Sequence, residues 1–360
     1  MMKAIVLSGG FATRLRPISY ALPKLLFPVA GKPMIYWTLD LLQESGVDQV
    51  VLAVNYLADS LRAVVGQKYK GIRINYSLED EPLGTGGPIK LAARMLKTKE
   101  TFIAMNGDII TDIDLNKMIR NHKRSKAVVT DALHEVRDPS RFGVVKLDPA
   151  GRIQRFVEKP TLREAPSRLV NAGIYLIEPT MLNMIPSGRK VSLEREIFPI
   201  LAKRGRLFGF PFKGQWFDIG NLADYRKANF ALLRGHAPKR DLQRRGTRFK
   251  QPVFLGEQTK TETAATVGPN ALVGRNCVIR RGAHVVDSIL FDRVTIGERS
   301  IVSGAIIASS VFVGENVRIE PGTIISPNVK ISDGIRIGKD AIIHPYKEIT
   351  ANVRPRANVM

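Results

Sequence analysis

The stretch Ser8-Gly9-Gly10-Phe11-Ala12-Thr13-Arg14-Leu15-Arg16-Pro17, followed by Pro23-Lys24, decides how this chain is interpreted. Residues 3–7 predict a short buried strand, so the glycine pair falls where a strand ends. Glycine at such a position lets backbone amides point at a phosphate group without obstruction by Cβ. A bare glycine turn often only joins a strand to a helix. The nearby cations Arg14, Arg16 and Lys24 favour a polyphosphate-binding loop instead.

The spacing of this stretch excludes two familiar phosphate-binding loops. A P-loop requires G-x-x-x-x-G-K-[ST], and Lys24 lies too far from Gly10 to fit that pattern. A dinucleotide-binding fingerprint requires G-x-G-x-x-G leading directly into a helix, with an acidic residue at the end of the second strand. Here the loop is long and basic, and the residue after the second predicted strand, 50–54, is Asn55 and not an acid.

Length and composition indicate two globular domains. The chain has 360 residues, a length sufficient for two domains with separate cores. Hydrophobic residues make up 44% of it and charged residues 24%, as in globular proteins. No apolar run approaches the roughly 18 residues of a membrane span, and the first residues enter a strand without a signal-peptide pattern. The single cysteine, Cys277, cannot form a disulfide within the chain, which is typical of a reducing compartment. We therefore expect a cytoplasmic protein with no membrane partner.

The net charge of +22, from 55 Lys and Arg against 33 Asp and Glu, is large. A strong positive field attracts nucleic-acid backbones whatever their sequence. The basic residues are scattered, however, and no RNA- or DNA-recognition module is present. Acidic small substrates or an unusual surface explain the charge better, so we expect no nucleic-acid partner. The one dense basic cluster, Arg234–Lys250, has seven Lys or Arg and a single Asp and is interpreted as part of an interdomain linker.

Residues 1–233 predict an α/β domain, because short apolar runs alternate with helix-like segments. This alternation indicates βαβ units in a mostly parallel, Rossmann-like sheet. Ligands of such sheets bind at the carboxyl ends of the strands. The predicted strands are 3–7, 50–54, 72–77 and 101–106, and the predicted helices are 34–44, 57–65 and 87–96.

Residues 253–360 have a different pattern, a hexapeptide period, and the basic linker is placed between the two domains at 234–252. Aliphatic anchors recur every six positions, and small or β-branched residues often precede them by two positions. This period is the signature of a parallel β-helix, in which each coil covers the apolar face of the next. The anchors are Val267, Val273, Ile279 and Val285, and then Val313, Ile319, Ile325, Ile331, Ile337 and Ile343.

Two acids of the first domain, Asp108 and Asp218, lie far apart in the sequence. Asp108 follows a predicted apolar strand, and Asp218 lies in the segment Gly214–Gly220. A lone aspartate at a strand end is more often a turn or capping residue. Two carboxylates far apart in sequence nevertheless suit Mg²⁺, which combines one or two carboxylates with substrate phosphates and water. No His or Cys cluster suggests a softer metal.

Several segments of the first domain together resemble the signature of the nucleoside-diphosphate-sugar pyrophosphorylases, also called sugar-1-phosphate nucleotidylyltransferases. The first loop is similar to G-G-x-G-T-R-L-R-P followed by P-K-P, with Ala12 in place of the third glycine and Leu25 in place of the second proline. The segment 192–199 is most similar to the mannose-1-phosphate guanylyltransferase branch. The other matching segments are 82–87, 106–108, 141–145, 156–160, 170–175 and 214–220.

The resemblance implies a role for each matching residue. Arg14 and Lys24 neutralise the triphosphate and the departing pyrophosphate, and Lys159 holds the attacking phosphate. Asp108 and Asp218 hold Mg²⁺. The implied nucleotide-binding residues are Leu7, Ser8, Gly9, Gly10, Glu81, Pro82, Gly84 and Thr85, and the implied sugar-binding residues are Gly143, Glu158 and Asn171. The family also implies a left-handed β-helix.

The implied activity is transfer of a nucleotidyl group from a nucleoside triphosphate to a sugar 1-phosphate, with release of pyrophosphate. We expect GTP and mannose 1-phosphate as substrates, GDP-mannose as product and Mg²⁺ as cofactor. One alternative is a uridylyl or thymidylyl enzyme that uses UTP or dTTP with glucose 1-phosphate. Another is a non-catalytic regulatory relative, which the presence of all five charged site residues disfavours.

The β-helix is expected to assemble the protein rather than to catalyse a reaction. Some relatives carry an acetyltransferase in this domain, but no long loop interrupts the coils here to hold a coenzyme. The ends and faces of such a helix offer strand edges and apolar surface that require a cap or a partner. We therefore expect a homo-oligomer joined through the β-helix, and transfer activity that persists in a chain ending near Gly235.

Overall fold

The structure, a computed structural model, describes residues 2–10, 12–55, 58–79, 81–236 and 246–360. The chain forms two compact units, each built from two stretches of sequence. The first unit comprises Met1–Phe11 and Met34–Asp218, and the second comprises Ala12–Pro33 and Ile219–Met360. The segment 12–33, which carries Arg14 and Lys24, thus belongs to the unit that contains the C-terminal repeats. Within the predicted basic linker, residues 237–245 lie outside the described residues.

In the described residues up to 236, the main regular elements are short strands and six α-helices. The strands are β1 (Met2–Leu7), β2 (Pro28–Val29), β3 (Lys32–Pro33), β4 (Val47–Val54), β5 (Lys68–Tyr69), β6 (Ile72–Leu78), β7 (Phe102–Asn106), β8 (Ile109–Thr111), β9 (Val129–Glu135), β10 (Gly143–Leu147), β11 (Ile153–Glu158), β12 (Leu169–Ile177), β13 (Leu207–Pro211) and β14 (Trp216–Asp218). The helices are α1 (Met34–Glu44), α2 (Ala58–Val65), α3 (Gly86–Leu96), α4 (Leu115–Ser125), α5 (Phe198–Lys203) and α6 (Leu222–His236). In the described part of the chain, no helix combines the length and the apolarity that a membrane span requires.

The core of the first unit is a ten-stranded mixed sheet. Its order is β11-β10-β12-β7-β1-β4-β6-β5, with β9 paired to β12 and β13 paired to β9. β1 runs parallel to β4 and β7, and β4 runs parallel to β6. β12 runs antiparallel to β7 and extends the sheet on one side. The predicted Rossmann-like arrangement of the central strands is confirmed.

Local sequence signals account for the boundaries of the first helix, α1. The predicted helix 34–44 is α1, which Pro33 precedes and Gly46, at φ +76°, follows. A proline fits the first turn of a helix, and glycine adopts positive φ beyond its end at low cost. The predicted helix 57–65 is described from Ala58 onward as α2, and Leu57 lies outside the described residues.

The carboxyl ends of the parallel strands meet at one edge of the sheet. Leu7, the last residue of β1, is paired with Ala53 near the end of β4 and with Asn106 at the end of β7. The loops that follow these strands therefore lie side by side. This edge is called the carboxyl edge below.

The C-terminal repeats of the second unit form a parallel β-helix with three faces. Its strands are β15 (Arg248–Phe249), β16 (Val253–Leu255), β17 (Lys260–Thr261), β18 (Thr266–Val267), β19 (Ala271–Val273), β20 (Val278–Ile279), β21 (His284–Val286), β22 (Ile289–Leu290), β23 (Thr295–Ile296), β24 (Ile301–Ser303), β25 (Ile306–Ile307), β26 (Phe312–Val313), β27 (Arg318–Ile319), β28 (Ile324–Ile325), β29 (Lys330–Ile331), β30 (Arg336–Ile337), β31 (Ile342–Ile343), β32 (Glu348–Ile349) and β33 (Asn358–Val359). The three parallel sheets have the orders β15-β18-β21-β24-β27-β30, β16-β19-β22-β25-β28-β31-β33 and β17-β20-β23-β26-β29-β32. This arrangement confirms the predicted β-helix and is consistent with its left-handed form.

The predicted anchors fill the interior of the β-helix, and the structure explains why they fall into two series. All ten anchors are buried. Val267 pairs with Val285, eighteen residues later, whereas Val285 pairs with Val302, seventeen residues later. Buried Leu290 and Ile307 each follow the preceding anchor by five residues instead of six. Coils that are shorter by one residue therefore shift the phase of the hexapeptide pattern.

Buried hydroxyl groups link neighbouring coils. The Ser300 hydroxyl donates a hydrogen bond to the Gly314 carbonyl at 2.7 Å and accepts one from the Val317 N–H at 2.9 Å. Ser326 is equally buried, but its hydroxyl has no hydrogen-bond partner among the described residues. These two serines therefore form a matched pair with equal burial and different hydrogen bonding.

We predict opposite outcomes for alanine at these two serines. Ser300→Ala leaves the Val317 N–H buried without its acceptor, and the free energy of unfolding should fall by about 1–3 kcal/mol. Ser326→Ala removes an unsatisfied buried hydroxyl, so stability should stay the same or rise. Denaturant unfolding of the full chain measures both, and equal losses in the two variants would contradict this account of the coil contacts.

Candidate active site

The glycine loop after β1 crosses the carboxyl edge. The Ser8 N–H donates to the Ala53 carbonyl at 2.9 Å, and the Gly107 N–H donates to the Leu7 carbonyl at 2.8 Å. These bonds join the ends of β1, β4 and β7. Gly10 is exposed, and a Cβ placed on it meets no atom within 4 Å. The predicted phosphate loop thus has an anchored stem and an open tip.

Two polar residues that the sequence analysis did not select hold this loop. Asn55 donates a side-chain hydrogen bond to the Gly9 carbonyl. A Cβ on Gly9 would lie 2.8 Å from Glu79 Oε2, so a larger residue would require this carboxylate to shift. Glu79 is buried, and burial raises the pKa of its carboxyl group. Its Oε1 accepts a hydrogen bond from the Leu83 N–H at 2.8 Å and so connects the glycine loop to the next site segment.

The predicted nucleotide-binding loop 81–85 is docked against the segment around Val191. Gly84 has φ +79°, and a Cβ there would lie 2.4 Å from the Val191 carbonyl oxygen. The Val191 N–H donates to the Leu83 carbonyl at 3.0 Å, and the Gly86 N–H donates to the Val191 carbonyl at 2.9 Å. Gly84 is therefore required for close approach of two backbones. Glu81 and Pro82 are exposed at the start of the loop.

The Thr85 side chain has a structural role that the sequence did not indicate. Its hydroxyl donates to Glu194 Oε2 at 2.7 Å and accepts from the Leu193 N–H at 2.9 Å. The Ser192 hydroxyl donates to the same Glu194 oxygen at 2.7 Å. Glu194 lies in the one-turn π-helix Leu193–Ile197, and two hydroxyl donors fix its orientation.

The two predicted metal ligands lie at the same end of a short antiparallel ladder. β14 pairs with β8, and Asp218 is paired with Ile109, the residue directly after Asp108. Both aspartates are partly buried. The pairing brings together two acids that are 110 positions apart in the sequence. Their carboxylate oxygens are the hard ligands that Mg²⁺ prefers.

No larger metal-ligand cluster is present in the described ranges. Within them, no group of three or more His, Cys, Asp or Glu side chains is placed to hold a metal ion. A pair of carboxylates fits an ion that takes its remaining ligands from phosphate oxygens and water.

The predicted sugar-binding residues Gly143 and Glu158 face each other across two paired strands. Gly143 of β10 is paired with Glu158 of β11, and a Cβ on Gly143 would lie 2.5 Å from the Phe156 ring and 3.0 Å from Glu158 Oε2. Burial raises the pKa of the Glu158 carboxyl group, and the charge of Glu194 raises it further. Glu194 therefore acts on the predicted sugar site electrostatically.

Lys159 follows Glu158 in a strained backbone conformation. It has φ +50°, which is unfavourable for a residue with a side chain. Its N–H donates to the Phe142 carbonyl at 2.9 Å, and its Nζ lies 3.7 Å from Glu158 Oε1. The Lys159 side chain is largely exposed, so its ammonium group remains accessible to a phosphate.

Asn171 lies in an irregularity of β12 that reaches the carboxyl edge. The register with β9 shifts between Asn171 and Tyr175, and Asn171 donates a side-chain hydrogen bond to the Tyr175 hydroxyl at 2.9 Å. Gly173, at φ +73°, lies against the Asn106 side chain. The Trp216 Nε1–H donates to the Ala172 carbonyl at 3.0 Å. The irregularity thereby links Asn171 to β7, which precedes Asp108, and to β14, which ends at Asp218.

Arg14 belongs to the second unit, where it lies at the start of α6. Its guanidinium nitrogens lie 3.5 Å from the position that a Cβ on Gly220 would take. Ala12, two residues before it, has φ +48° and ψ +36°. Glycine adopts this left-handed conformation at a free-energy cost about 1–2 kcal/mol lower than that of a residue with a Cβ, such as alanine. This explains the glycine that the family motif has at this position.

Lys24 also belongs to the second unit and begins the 3₁₀ turn Lys24–Leu26. Its side chain is partly buried. Leu25, which replaces the second proline of the family motif, is only 4% exposed. The replacement therefore adds a buried apolar side chain directly beside the predicted phosphate-binding lysine.

Both domains match known protein families. Residues 3–235 match the family described as nucleotidyl transferase, and residues 249–359 match the family described as GMPPB C-terminal domain. The chain is also similar to the structure of HddC from Yersinia pseudotuberculosis complexed with GMP-PN. That similarity has a TM-score of 0.55 and 28% identity, and it covers 64% of this chain and 100% of that one.

Curated relatives match over both domains. The mannose-1-phosphate guanylyltransferase catalytic subunit beta of Danio rerio is 35% identical over 338 residues. The mannose-1-phosphate guanylyltransferase 1 of Arabidopsis thaliana is 34% identical over 327 residues. Each alignment covers 89% of this chain and 89% of the relative. The carboxyl-edge geometry, the domain matches and these relatives lead to one conclusion: the chain belongs to the nucleotidyl transferase family.

Proposed function

We propose that this chain transfers a guanylyl group from GTP to mannose 1-phosphate, forming GDP-mannose and pyrophosphate. The observation that carries the proposal is the carboxyl edge, where an open glycine loop, two aspartates and the predicted sugar-binding residues lie on connected strands. The choice of guanine and mannose is supported by the names of the relatives that match over most of the chain.

The proposed reaction is an in-line displacement at the α-phosphorus of GTP. A phosphate oxygen of mannose 1-phosphate forms the new P–O bond, and the bond to the bridging β-phosphate oxygen breaks with its electron pair leaving on pyrophosphate. A sugar phosphate is already ionised at neutral pH, so no general base is needed. Catalysis then depends on positioning and on neutralisation of developing charge.

The basic residues are proposed to divide between the two substrates. Arg14 and Lys24 bind the triphosphate and stabilise the departing pyrophosphate. Lys159 holds the phosphate of the sugar, and its exposed ammonium group suits that role. The amides of Ser8–Gly10 add uncharged donors at the open tip of the glycine loop.

Asp108 and Asp218 are proposed to hold Mg²⁺. Their placement at one end of the β8–β14 ladder fits an ion that combines two carboxylates with phosphate oxygens and water. When bound, the ion would supply positive charge at the α-phosphate and the attacking oxygen.

Glu158, Asn171 and Gly143 are proposed to bind the sugar ring. Gly143 leaves room beside the Glu158 carboxylate because its missing Cβ would lie 3.0 Å from Glu158 Oε2. Asn171 is held by Tyr175, which fixes its amide for hydrogen bonding to sugar hydroxyls. The hydroxyls of Thr85 and Ser192 orient Glu194 near this site.

We also propose a cytoplasmic homo-oligomer joined through the β-helix. The buried free thiol of Cys277 supports a reducing compartment. Exposed Phe312 and Tyr346 on the β-helix support association between copies. Light scattering of the full chain tests the assembly, and a monomer at micromolar concentration would contradict it.

The substrates are tested by a matrix of four nucleoside triphosphates against mannose, glucose and galactose 1-phosphates, with pyrophosphate release as the readout. GTP with mannose 1-phosphate should give a kcat/KM at least about tenfold above every other pair, a margin that one base-specific hydrogen-bond set supplies. A higher value for UTP or dTTP with glucose 1-phosphate would refute the guanylyl assignment. No turnover with any pair would point to a non-catalytic relative.

Removal of either metal-binding carboxylate should abolish most activity. Asp108→Asn and Asp218→Asn should each lower kcat by about a hundredfold or more, because charge at the α-phosphate is no longer balanced. EDTA should do the same to the unmodified protein, and added Mg²⁺ should restore it. Asp112→Asn is the matched control, since Asp112 Oδ1 accepts the Gln215 N–H at 2.8 Å and an amide oxygen keeps that bond. Full activity of either variant, or in EDTA, would remove the metal from the mechanism.

The two phosphate sites should separate kinetically. Lys159→Ala should chiefly raise the KM for mannose 1-phosphate, and Arg14→Ala should chiefly impair use of GTP, each by about tenfold or more, because each loses charge-assisted bonds to a different substrate. Lys146→Ala, which removes an exposed lysine from neighbouring β10, controls for the change in net charge. If both site variants raised only the KM for GTP, the role of Lys159 would be wrong.

A further inference from the structure

One face of the β-helix carries apolar side chains on its outside. This face is the sheet β16-β19-β22-β25-β28-β31-β33 and is called the covered face below. Side chains along a strand alternate in direction, so the residues beside the buried anchors point outward. On the covered face these include Leu272, Ile289, Ile306 and Ile324, all less than 9% exposed. On the other faces the outward residues include exposed arginine and lysine at 318, 330 and 336.

The segment 12–33 lies along the covered face. A Cβ on Gly31 would lie 2.2 Å from the ring of Phe254, which belongs to β16, the first strand of this face. The ring of Tyr20 lies 6.4 Å from that of His344, which directly follows β31 near the other end. The Arg16 guanidinium lies over the Tyr20 ring at 4.9 Å. The segment therefore spans the face from its first coil nearly to its last.

Three buried rings fix the middle of the segment to the β-helix and to α6. Phe27 of the segment, Tyr225 of α6 and Phe291 of the β-helix contact one another. Their ring centroids are 5.6 Å apart for Phe27 and Tyr225, 5.8 Å for Phe27 and Phe291, and 6.3 Å for Tyr225 and Phe291. All three pairs are edge-on, which is the favourable geometry for aromatic side chains. Each residue is at most 2% exposed.

Hydrogen bonds from α6 complete the attachment. Asn229 is fully buried, and its Oδ1 accepts the Ala30 N–H at 2.9 Å while its Nδ2 donates to the Tyr225 carbonyl at 3.0 Å. The Tyr225 hydroxyl donates to the Pro28 carbonyl. The segment is thus attached by directional bonds as well as by apolar contact.

We propose that the covered face of the β-helix, together with α6, positions Arg14 and Lys24 for the nucleotide half of the reaction. Phe291 and Tyr225 are the positioning residues, since they contact the segment and not the substrates. The inference rests on the proposed function, in which Arg14 and Lys24 neutralise the triphosphate. A shift of about 1 Å in a group that positions a substrate can cost a hundredfold in rate, so a rigid support has a direct kinetic effect.

This proposal replaces the expectation that a chain ending near Gly235 keeps its transfer activity. Such a chain would lack Phe254, Phe291 and His344, three β-helix residues that contact the segment. The β-helix then contributes to turnover within one chain, independently of any role in assembly.

Kinetics of full-length variants test the proposal. Phe291→Leu keeps an apolar side chain but removes both edge-on contacts, and it should lower kcat/KM for GTP by about tenfold while the KM for mannose 1-phosphate stays within about twofold. Tyr225→Phe keeps the ring, removes the bond to Pro28 and should give a smaller loss with the same substrate selectivity. Ile331→Val, at a buried anchor of the third sheet, controls for general loosening of the β-helix and should leave both constants unchanged.

The outcomes separate this proposal from the proposed function. Wild-type constants for both substrates in folded Phe291→Leu, or an equal loss for both, would overturn the positioning role. If Phe291→Leu does not fold, the same criteria apply to Tyr225→Phe. Arg14→Ala is measured in parallel. Unchanged GTP kinetics in Arg14→Ala would refute the proposed role of Arg14. A GTP defect in Arg14→Ala without one in Phe291→Leu or Tyr225→Phe would refute only the positioning role of the β-helix and leave the role of Arg14 intact.

Discussion

Backbone pairing at the carboxyl edge is the constraint on which the site depends. The ladder between β8 and β14 aligns Asp218 with the neighbour of Asp108, and the parallel pairing of β1 with β7 places the glycine loop beside them. Trp216 then connects this ladder to β12 through the Ala172 carbonyl. Because these connections are hydrogen bonds between strands, the backbone fixes the places of Asp108, Asp218 and the glycine loop. This is the preorganisation that nucleotidyl transfer requires, since the enzyme mainly positions and neutralises phosphates.

The second unit adds a different kind of support. Its segment 12–33 contains only short strands and 3₁₀ turns, carries the proposed phosphate-binding residues Arg14 and Lys24, and lies on the outside of the β-helix. A β-helix is rigid because each coil pairs with the next through short strands in three parallel sheets. The outward aliphatic residues of the covered face give the segment an apolar surface to pack against. In this proposal the repeat domain supports Arg14 and Lys24, and this role is separate from assembly.

Much of the fold could be predicted because its signals are local. The boundaries of α1 follow from Pro33 and Gly46, and the burial of the anchors follows from a six-residue period. The motif segments predicted Asp108, Asp218, Gly143 and Glu158 as site residues, and the structure pairs their segments through β8 with β14 and β10 with β11. The structure added what depends on distant contacts. Glu194 could not be predicted as part of the site because its orientation depends on Thr85, more than a hundred positions away in the sequence. Asp131, fully buried in β9, has no hydrogen-bond partner for either oxygen among the described residues, and burial raises its pKa. No sequence period distinguishes such an acid from an exposed one.

The central claim is that the carboxyl edge is where the sugar nucleotide is formed. A crystal structure of the full chain with GDP-mannose and Mg²⁺ tests it most directly. The account predicts the mannose ring within hydrogen-bond distance of Glu158 and Asn171, with the ion between the carboxylates of Asp108 and Asp218. A product bound away from this edge, or an ion held by other residues, would contradict it.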